Sequence, residues 1–163
     1  MRFPGFEGEW NETILGNVCT MKAGKFIAPS DIFEEFKENL FPCYGGNGLR
    51  GYVSSYNKDG LFSLIGRQGA LCGNVNLVSG KIYATEHALV VNPEQDVVTI
   101  WLYHLLIKLN LNQYATGAAQ PGLSVQNLER VEVKVPKSKL EQEKISSFLY
   151  LLDQRIETQS KII

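Results

Sequence analysis

The sequence predicts an α+β fold: a compact unit with a turned, mainly antiparallel β-region and packed helices, followed by a coiled-coil-type helix. Three observations lead there. From Phe41 to Val91, short apolar or aromatic runs are separated by Gly45-Gly46-Asn47-Gly48, Asn57-Lys58-Asp59-Gly60, Gly66-Arg67-Gln68-Gly69, Gly73-Asn74 and Ser79-Gly80, which is the punctuation of tightly turned strands. Asp96 to Asn110 is apolar on nearly every face, as a helix packed inside a domain must be. Beyond Pro136, Ser138 and Glu141 have capping-box spacing and open a segment whose apolar residues recur in steps of four and three.

Taken in order, Trp10 to Lys25 mixes β-branched residues with Gly16 and Gly24. Pro29-Ser30-Asp31 then precedes Ile32, Phe33, Phe36 and Leu40 at helical spacing, and Asp31 with Glu34 three residues on predicts a helix start. Asn92-Pro93 ends the last strand of the turned region. In the apolar helix that follows, Trp101, Leu105 and Leu109 are core candidates, and His104 is a satisfied core or boundary residue. Ser124 to Arg130 has room for one or two helical turns. Val131, Val133 and Val135 alternate with Glu132 and Lys134 as a half-buried strand, closed by Pro136.

The Ser138 hydroxyl and the Glu141 carboxylate are spaced to satisfy orphaned backbone N–H groups, so the last helix starts near Lys139. Ile145, Leu149, Leu152, Ile156 and Ile163, with Gln159 in the remaining slot, form a heptad stripe that packs either on its own domain or on another helix. No Gly or Pro stops this helix, so it is expected to be cut short here or completed by a partner. The division expected is a domain over residues 1–137 and the start of a long helix over 138–163.

With 163 residues the chain can bury one substantial core. The longest apolar run, Val97 to Leu109, is broken by His104 and Lys108 and is too short for a bilayer, and no basic n-region precedes an apolar stretch at the N-terminus. A soluble, unsecreted, cytoplasmic protein is expected. Cys19, Cys43 and Cys72 are odd in number, widely spaced and without a Cys-x-x-Cys, which points to reduced thiols rather than disulfides or zinc. The net charge of -1 means that any surface for nucleic acid must be a local basic patch offset by acids elsewhere.

Catalytic motifs are missing. Gly46-Asn47-Gly48-Leu49-Arg50-Gly51 fits G-x-G-x-x-G, yet Tyr52-Val53-Ser54-Ser55-Tyr56 favours a strand where dinucleotide binding needs a helix. A tight turn that brings backbone close to another chain or a phosphate fits better. No Asn/Asp-Pro-Pro-Tyr/Phe loop of an adenine methyltransferase is present. Pro93-Glu94 and Glu132-Val133-Lys134 echo a magnesium nuclease only faintly, with Glu132 on the solvent face of its strand. Neither a catalytic nor a metal site is expected.

Binding chemistry is better represented. Arg67 and Gln68 stand together on a glycine-flanked loop; a guanidinium suits the O6/N7 edge of guanine and a carboxamide the N6/N7 edge of adenine, although a surface ion pair is an equal reading for Arg67. Lys22, Lys25, Arg50, Lys58 and Lys81, interleaved with Tyr52, Tyr56 and Tyr83, could hold phosphates or be solvated surface charge. His87 is either a hydrogen-bonded structural residue or a DNA contact. Gly117-Ala118-Ala119-Gln120-Pro121 uses small residues where backbone comes close to something, and is expected to brace the domain against the last helix.

Two signatures bracket the chain. Arg2-Phe3-Pro4-Gly5-Phe6, Trp10 and Leu15-Gly16 stand at one end. At the other are Gly117-Ala118-Ala119-Gln120-Pro121, Leu123-Ser124, Leu128, Val131 to Pro136 and Glu141-Gln142-Glu143-Lys144-Ile145. Together they resemble the opening and close of a target-recognition domain in the specificity subunit of type I restriction-modification systems. Tyr44-Gly45-Gly46-Asn47-Gly48 with Gly51-Tyr52, the glycine-flanked Arg67, and Thr85-Glu86-His87-Ala88-Leu89 resemble further segments of that family. The resemblance covers the whole chain but half of the usual protein, which carries two recognition domains, each followed by a long helix.

What it implies is a non-catalytic, sequence-specific DNA-binding module. Such a module reads one half of a bipartite double-stranded target and docks methyltransferase subunits, and through them the restriction subunit, by its helix. S-adenosylmethionine, ATP and magnesium would belong to those other subunits and none to this chain. Lys25, Asn47, Arg50, Tyr52, Arg67, Gln68, Lys81 and His87 are the candidate DNA contacts, and Ile145, Leu149, Leu152 and Ile156 the candidate partner face, through which two copies could also pair. The competing reading is a degenerate or truncated recognition domain that acts only in protein assembly, which the near-neutral charge favours.

Overall fold

The computed structural model describes residues 2–162. Its elements are β1 (Asn11–Ile14), β2 (Cys19–Ala23), β3 (Phe41–Gly45), β4 (Gly48–Val53), β5 (Lys58–Gly66), β6 (Val75–Ala84), β7 (Ala88–Pro93), α1 (Thr99–Lys108), α2 (Val125–Glu129), β8 (Glu132–Val135) and α3 (Lys139–Ile162). β1 and β8, from opposite ends of the globular part, form their own antiparallel pair. The other six strands form one sheet in the order β2-β7-β5-β6-β3-β4, antiparallel except where β3 runs parallel to β6. The α+β class and the mainly antiparallel region are therefore as predicted, but two of the punctuating segments are not turns: Lys58-Asp59-Gly60 opens β5 and Ser79-Gly80 lies within β6, with Gly60 paired to Gly80.

The sheet rolls back on itself. Lys25, just past β2, bridges to Thr85, just past β6, so the edge of the sheet returns to its middle. Two glycines permit this by lacking a side chain: a Cβ on Gly24 would lie 2.0 Å from the Ala84 carbonyl oxygen, and one on Gly66 would lie 2.1 Å from that of Gly46. Alternation along the central strands then serves two cores. Ile65, Leu89 and Val91 face a cluster with Leu15, Met21, Trp101, Leu102, Leu106 and Leu128. Leu64, Ala88 and Val90 face the other way, against Val78, Ile82 and Ala84.

Helix α1 presents Trp101, Leu102 and Leu106 to the larger core. Of the three expected core residues only Trp101 is fully buried; Leu105 and Leu109 are half-buried because their side of α1 lines a cleft, described below. Cys19, Cys43 and Cys72 are free and buried, as expected of incidental thiols, and burial pushes the Cys19 thiol up to about 12.

Four further local expectations need correction. No helix forms over residues 32–40: a 3₁₀ turn at Pro29–Asp31 gives way to extended backbone at Ile32. Phe33 and Tyr52 then exchange two backbone hydrogen bonds of 2.8 Å, so the groups a helix would need are committed to the edge of β4. The last strand is one residue shorter than the valine alternation suggests, starting at Glu132. The capping box is not closed. Glu141 does start α3 on schedule, with its N–H donating to the Ser138 carbonyl at 3.1 Å. Its carboxylate, however, accepts from Arg2 Nε and Nη2 at 2.6 and 2.7 Å and from Trp10 Nε1 at 3.2 Å. Finally, the loop over 117–121 is hydrogen-bonded at its margins to Arg67–Gly69, and among the described bonds none reaches the last helix.

Helix α3 is welded to the domain at its start. Glu141, Gln142 and Ser146 are buried. The Gln142 side chain accepts from Val98 N–H at 2.8 Å and donates to the carbonyls of Asp96 and Pro136 at 3.1 and 3.2 Å. It thereby caps α1, whose N-cap residue Val98 has no side chain able to do so. Ile145 and Leu149 are half-buried, whereas Leu152 and Ile156 are 40% and 62% exposed. The heptad stripe thus packs on its own domain for two turns and then projects free. The position assigned to Ile163 lies outside the described residues.

Candidate nucleic-acid interface

Three turns meet where the sheet closes. The β3–β4 hairpin has Gly46-Asn47 as its two-residue turn, with Gly45 paired to Gly48 and Gly48 at φ +94°, a geometry only glycine adopts freely. The G-x-G-x-x-G pattern is therefore a hairpin followed by strand β4, and a dinucleotide cradle is excluded by the missing helix. Beside it the β5–β6 connection carries Arg67 and Gln68, and the β6–β7 turn carries Glu86 and His87. A Cβ on Gly46 would lie 3.2 Å from the Gln68 carbonyl oxygen and 3.4 Å from that of His87, so the three turns are in contact.

Backbone hydrogen bonds fix this assembly. Arg67 N–H donates to the His87 carbonyl at 2.9 Å, and the Arg67 carbonyl accepts from Leu123 N–H at 2.9 Å. Gln68 bridges to Gly122, and Gly69 N–H donates to the Pro121 carbonyl at 3.0 Å. The guanidinium of Arg67 and the carboxamide of Gln68 enter no described hydrogen bond or ion pair and line a shallow pocket of about 420 Å³ with Thr116, Ser124, Val125 and Gln126. Backbones are held and polar ends are left free, which is how a recognition surface is pre-organised.

Most of the predicted contacts gather here. Asn47, Arg67, Gln68 and His87 occupy the three turns. Lys25 joins through its bridge to Thr85, and Arg50 through its Cδ, 3.7 Å from a Cβ built on Gly45. The Arg50 charge also works against the burial that raises the Cys43 thiol. His87 Nε2 lies 3.2 Å from Glu86 Oε1, so an acid stands inside the cluster and tempers its charge.

Tyr52 and Lys81 do not join. Tyr52 turns its ring edge-on to Phe36, centroids 5.4 Å apart, on the side of the sheet edge built by Phe33. Lys81 sits over the Tyr56 ring at 4.8 Å and opposes Asp59, roughly 26 Å along β5 from Arg67 at the strand rise of about 3.3 Å. Thr116, Ser124 and Gln126 were missed by sequence reasoning, because only the bridges to Gly122 bring them to Arg67, and no spacing rule registers such a contact. The nuclease echo does not assemble either: Lys134 is bound to Glu12 at 2.6 Å, on the solvent side of the β1–β8 pair. Among the described residues no group of three or more His, Cys, Asp or Glu side chains could hold a metal ion, and no helix is long and apolar enough to cross a membrane.

A larger cleft, of about 820 Å³, lies on the helix side between β1, β8, α1 and the first turns of α3. Trp10, Trp101, Leu105, Leu109, Ile145 and Leu149 give it apolar walls. His104 faces Asp153 across 3.8 Å, and its buried Nε2 has no hydrogen-bond partner among the described residues. Burial lowers its pKa and Asp153 opposes that shift.

Residues 7–163 match the family model described as the type I restriction modification DNA specificity domain. The chain belongs to that family. The type I restriction enzyme EcoprrI specificity subunit of Escherichia coli is 46% identical over 137 residues, covering 83% of this chain and 34% of that protein. Among solved structures, the S subunit of a type I restriction-modification system from M. genitalium superposes with a TM-score of 0.82 at 18% identity, covering 98% of this chain and 42% of that one. A chain from a structure of type I R-M complex assembly and conformational transition gives 0.73 at 20% identity, with the same coverages. This specificity-domain chain therefore spans between a third and a half of the length of these relatives, and its α+β fold with a long C-terminal helix is theirs.

Proposed function

We propose that this specificity domain is the non-catalytic DNA-reading module of a type I restriction-modification complex, recognising one half of a bipartite duplex target. Residues 1–137 form the recognition part and 138–163 begin the helix that docks methyltransferase subunits. The observation that carries the reading is the convergence of Asn47, Arg67, Gln68 and His87 on three turns held by backbone bonds, with Lys25 and Arg50 alongside. This is a local basic and amide-rich patch on a chain of net charge -1, as phosphate contact combined with base reading requires. The chemistry of methyl transfer and cleavage, with S-adenosylmethionine, ATP and magnesium, falls to other subunits on this reading.

The helix supports the second part of the proposal. Past Leu149 it carries Leu152 and Ile156 into solvent, an apolar stripe that continues the face already packed on α1. A methyltransferase subunit or the helix of a second copy fits that stripe, and two copies related by a two-fold axis would read a palindromic site.

Selection of bound duplexes from a randomised pool, with the chain assembled on a methyltransferase subunit from the same source, tests the proposal. Enrichment of a short half-site, with affinity that falls steeply as salt rises, is expected. One specific feature favours a pure assembly role instead. Glu34, Glu35 and Glu38 flank the exposed rings of Phe33 and Phe36, a surface suited to a protein and not to phosphates. Assembly without enrichment, and with little salt dependence, would select that reading.

A further inference from the structure

The pocket beside Arg67 has a composition that backbone contact alone does not require. The polar residues that line it are Arg67, Gln68, Gln126, Thr116 and Ser124, whose side chains carry one guanidinium, two carboxamides and two hydroxyls, and no acidic residue is among them. None of these five side chains enters a described hydrogen bond or ion pair, whereas Asn57, Asn112 and Gln142 elsewhere are all engaged with backbone. The floor is hydrogen-bonded: Thr116 and Gly122 exchange backbone bonds of 2.9 and 3.0 Å, and Leu123 beside the pocket is buried in the main core. Val125 adds an apolar wall.

We propose that this pocket reads the major-groove edge of one purine–pyrimidine pair, and that Gln126 and Thr116 are specificity-determining residues acting with Arg67 and Gln68. The proposal rests on the DNA-reading role proposed above and names the part of the surface that discriminates. A phosphate would be met most simply by several cations, and the pocket holds one. Planar, two-pronged groups are instead what the N7 edge of a purine requires, the guanidinium for guanine and a carboxamide for adenine. The apolar wall at Val125 is of the kind that a thymine methyl group favours. The half-site should therefore contain one position at which the choice of purine depends on Gln126, a residue distant in sequence from the β5–β6 loop.

The test compares the wild-type chain with Gln126→Ala and Thr116→Ala, each assembled with the methyltransferase subunit, on the selected duplex and on a scrambled duplex of equal length. Gln126→Ala is expected to weaken the selected duplex about tenfold, to relax a single position on reselection, and to leave the scrambled duplex and the salt slope unchanged. Thr116→Ala should relax the same position. Because both side chains are exposed and unbonded, unfolding midpoints should match the wild type, which separates lost reading from lost folding. Equal weakening on both duplexes would make the pocket a backbone-holding site and overturn the inference, as would unchanged selection by both variants. A wild-type chain that enriches nothing would bring down the DNA-reading role itself, an outcome distinct from either.

Discussion

Arg67 is fixed through its backbone on both sides and free at its guanidinium, so truncating it removes chemistry without loosening the fold. Arg67→Ala should cost roughly 1–3 kcal/mol of specific binding and relax one base position if the side chain reads a base; uniform loss across sequences would make it a phosphate contact. Glu141 is a residue of the opposite kind, committed wholly to structure. Its carboxyl lies below its ordinary 4.5, chiefly because Arg2 hydrogen-bonds to it, with Trp10 and the Arg2 charge adding and burial opposing. A carboxylate depressed in the folded state stabilises it above the unfolded value, and that contribution is lost as pH falls from about 4.5 through the folded value. Glu141→Gln should lower the melting temperature at neutral pH, and the gap to the wild type should close on acidification; a gap independent of pH would sink the assignment. Sequence reasoning put Glu141 at the right turn of the right helix with the wrong partner. A capping box is a local pattern, and Arg2, at the other end of the domain, outcompetes the local N–H.

At the scale of elements, what was legible is what short-range geometry decides. The Gly45-Gly46-Asn47-Gly48 run marked the β3–β4 hairpin, where the chain leaves the turn through a positive φ at Gly48, whereas Lys58-Asp59-Gly60 and Ser79-Gly80 place similar residues inside strands that pair with each other. Val133, buried between Glu132 and Lys134, obeyed the two-residue period. Residues 32–40 did not follow their helical spacing, since exchange of two hydrogen bonds between Phe33 and Tyr52 is a tertiary contact that no periodicity registers. The junction of α1 and α3 offers a sharper test. Gln142→Ala leaves Val98 N–H and the carbonyls of Asp96 and Pro136 without their partner, and should destabilise the domain by roughly 3 kcal/mol in denaturant unfolding. Nearly three turns farther on the same helix, Leu152 touches solvent, and Leu152→Asp should leave the unfolding midpoint in place while abolishing self-association or assembly with the methyltransferase. An unchanged mass in sedimentation would remove the helix from that role.

For the whole molecule, charge is arranged rather than abundant. The closing end of the sheet gathers Lys25, Arg50 and Arg67, and the acids Glu34, Glu35 and Glu38 lie along the segment beside the β4 edge, so one face can attract phosphate while another does not. Composition showed the sum and hid the arrangement, which is why a net charge of -1 was an ambiguous guide to DNA binding. The pairing of β1 with β8, in register from Asn11 opposite Val135 to Ile14 opposite Glu132, has a consequence for ancestry. It sets the strand by which the chain comes into the domain alongside the one by which it leaves, and Arg2 and Trp10 clasp the helix that follows. A unit whose two ends lie together interrupts its host at a single point. It behaves as a cassette: on the DNA-reading role proposed above, exchanging one such unit for another would change the sequence read without disturbing what lies on either side of it.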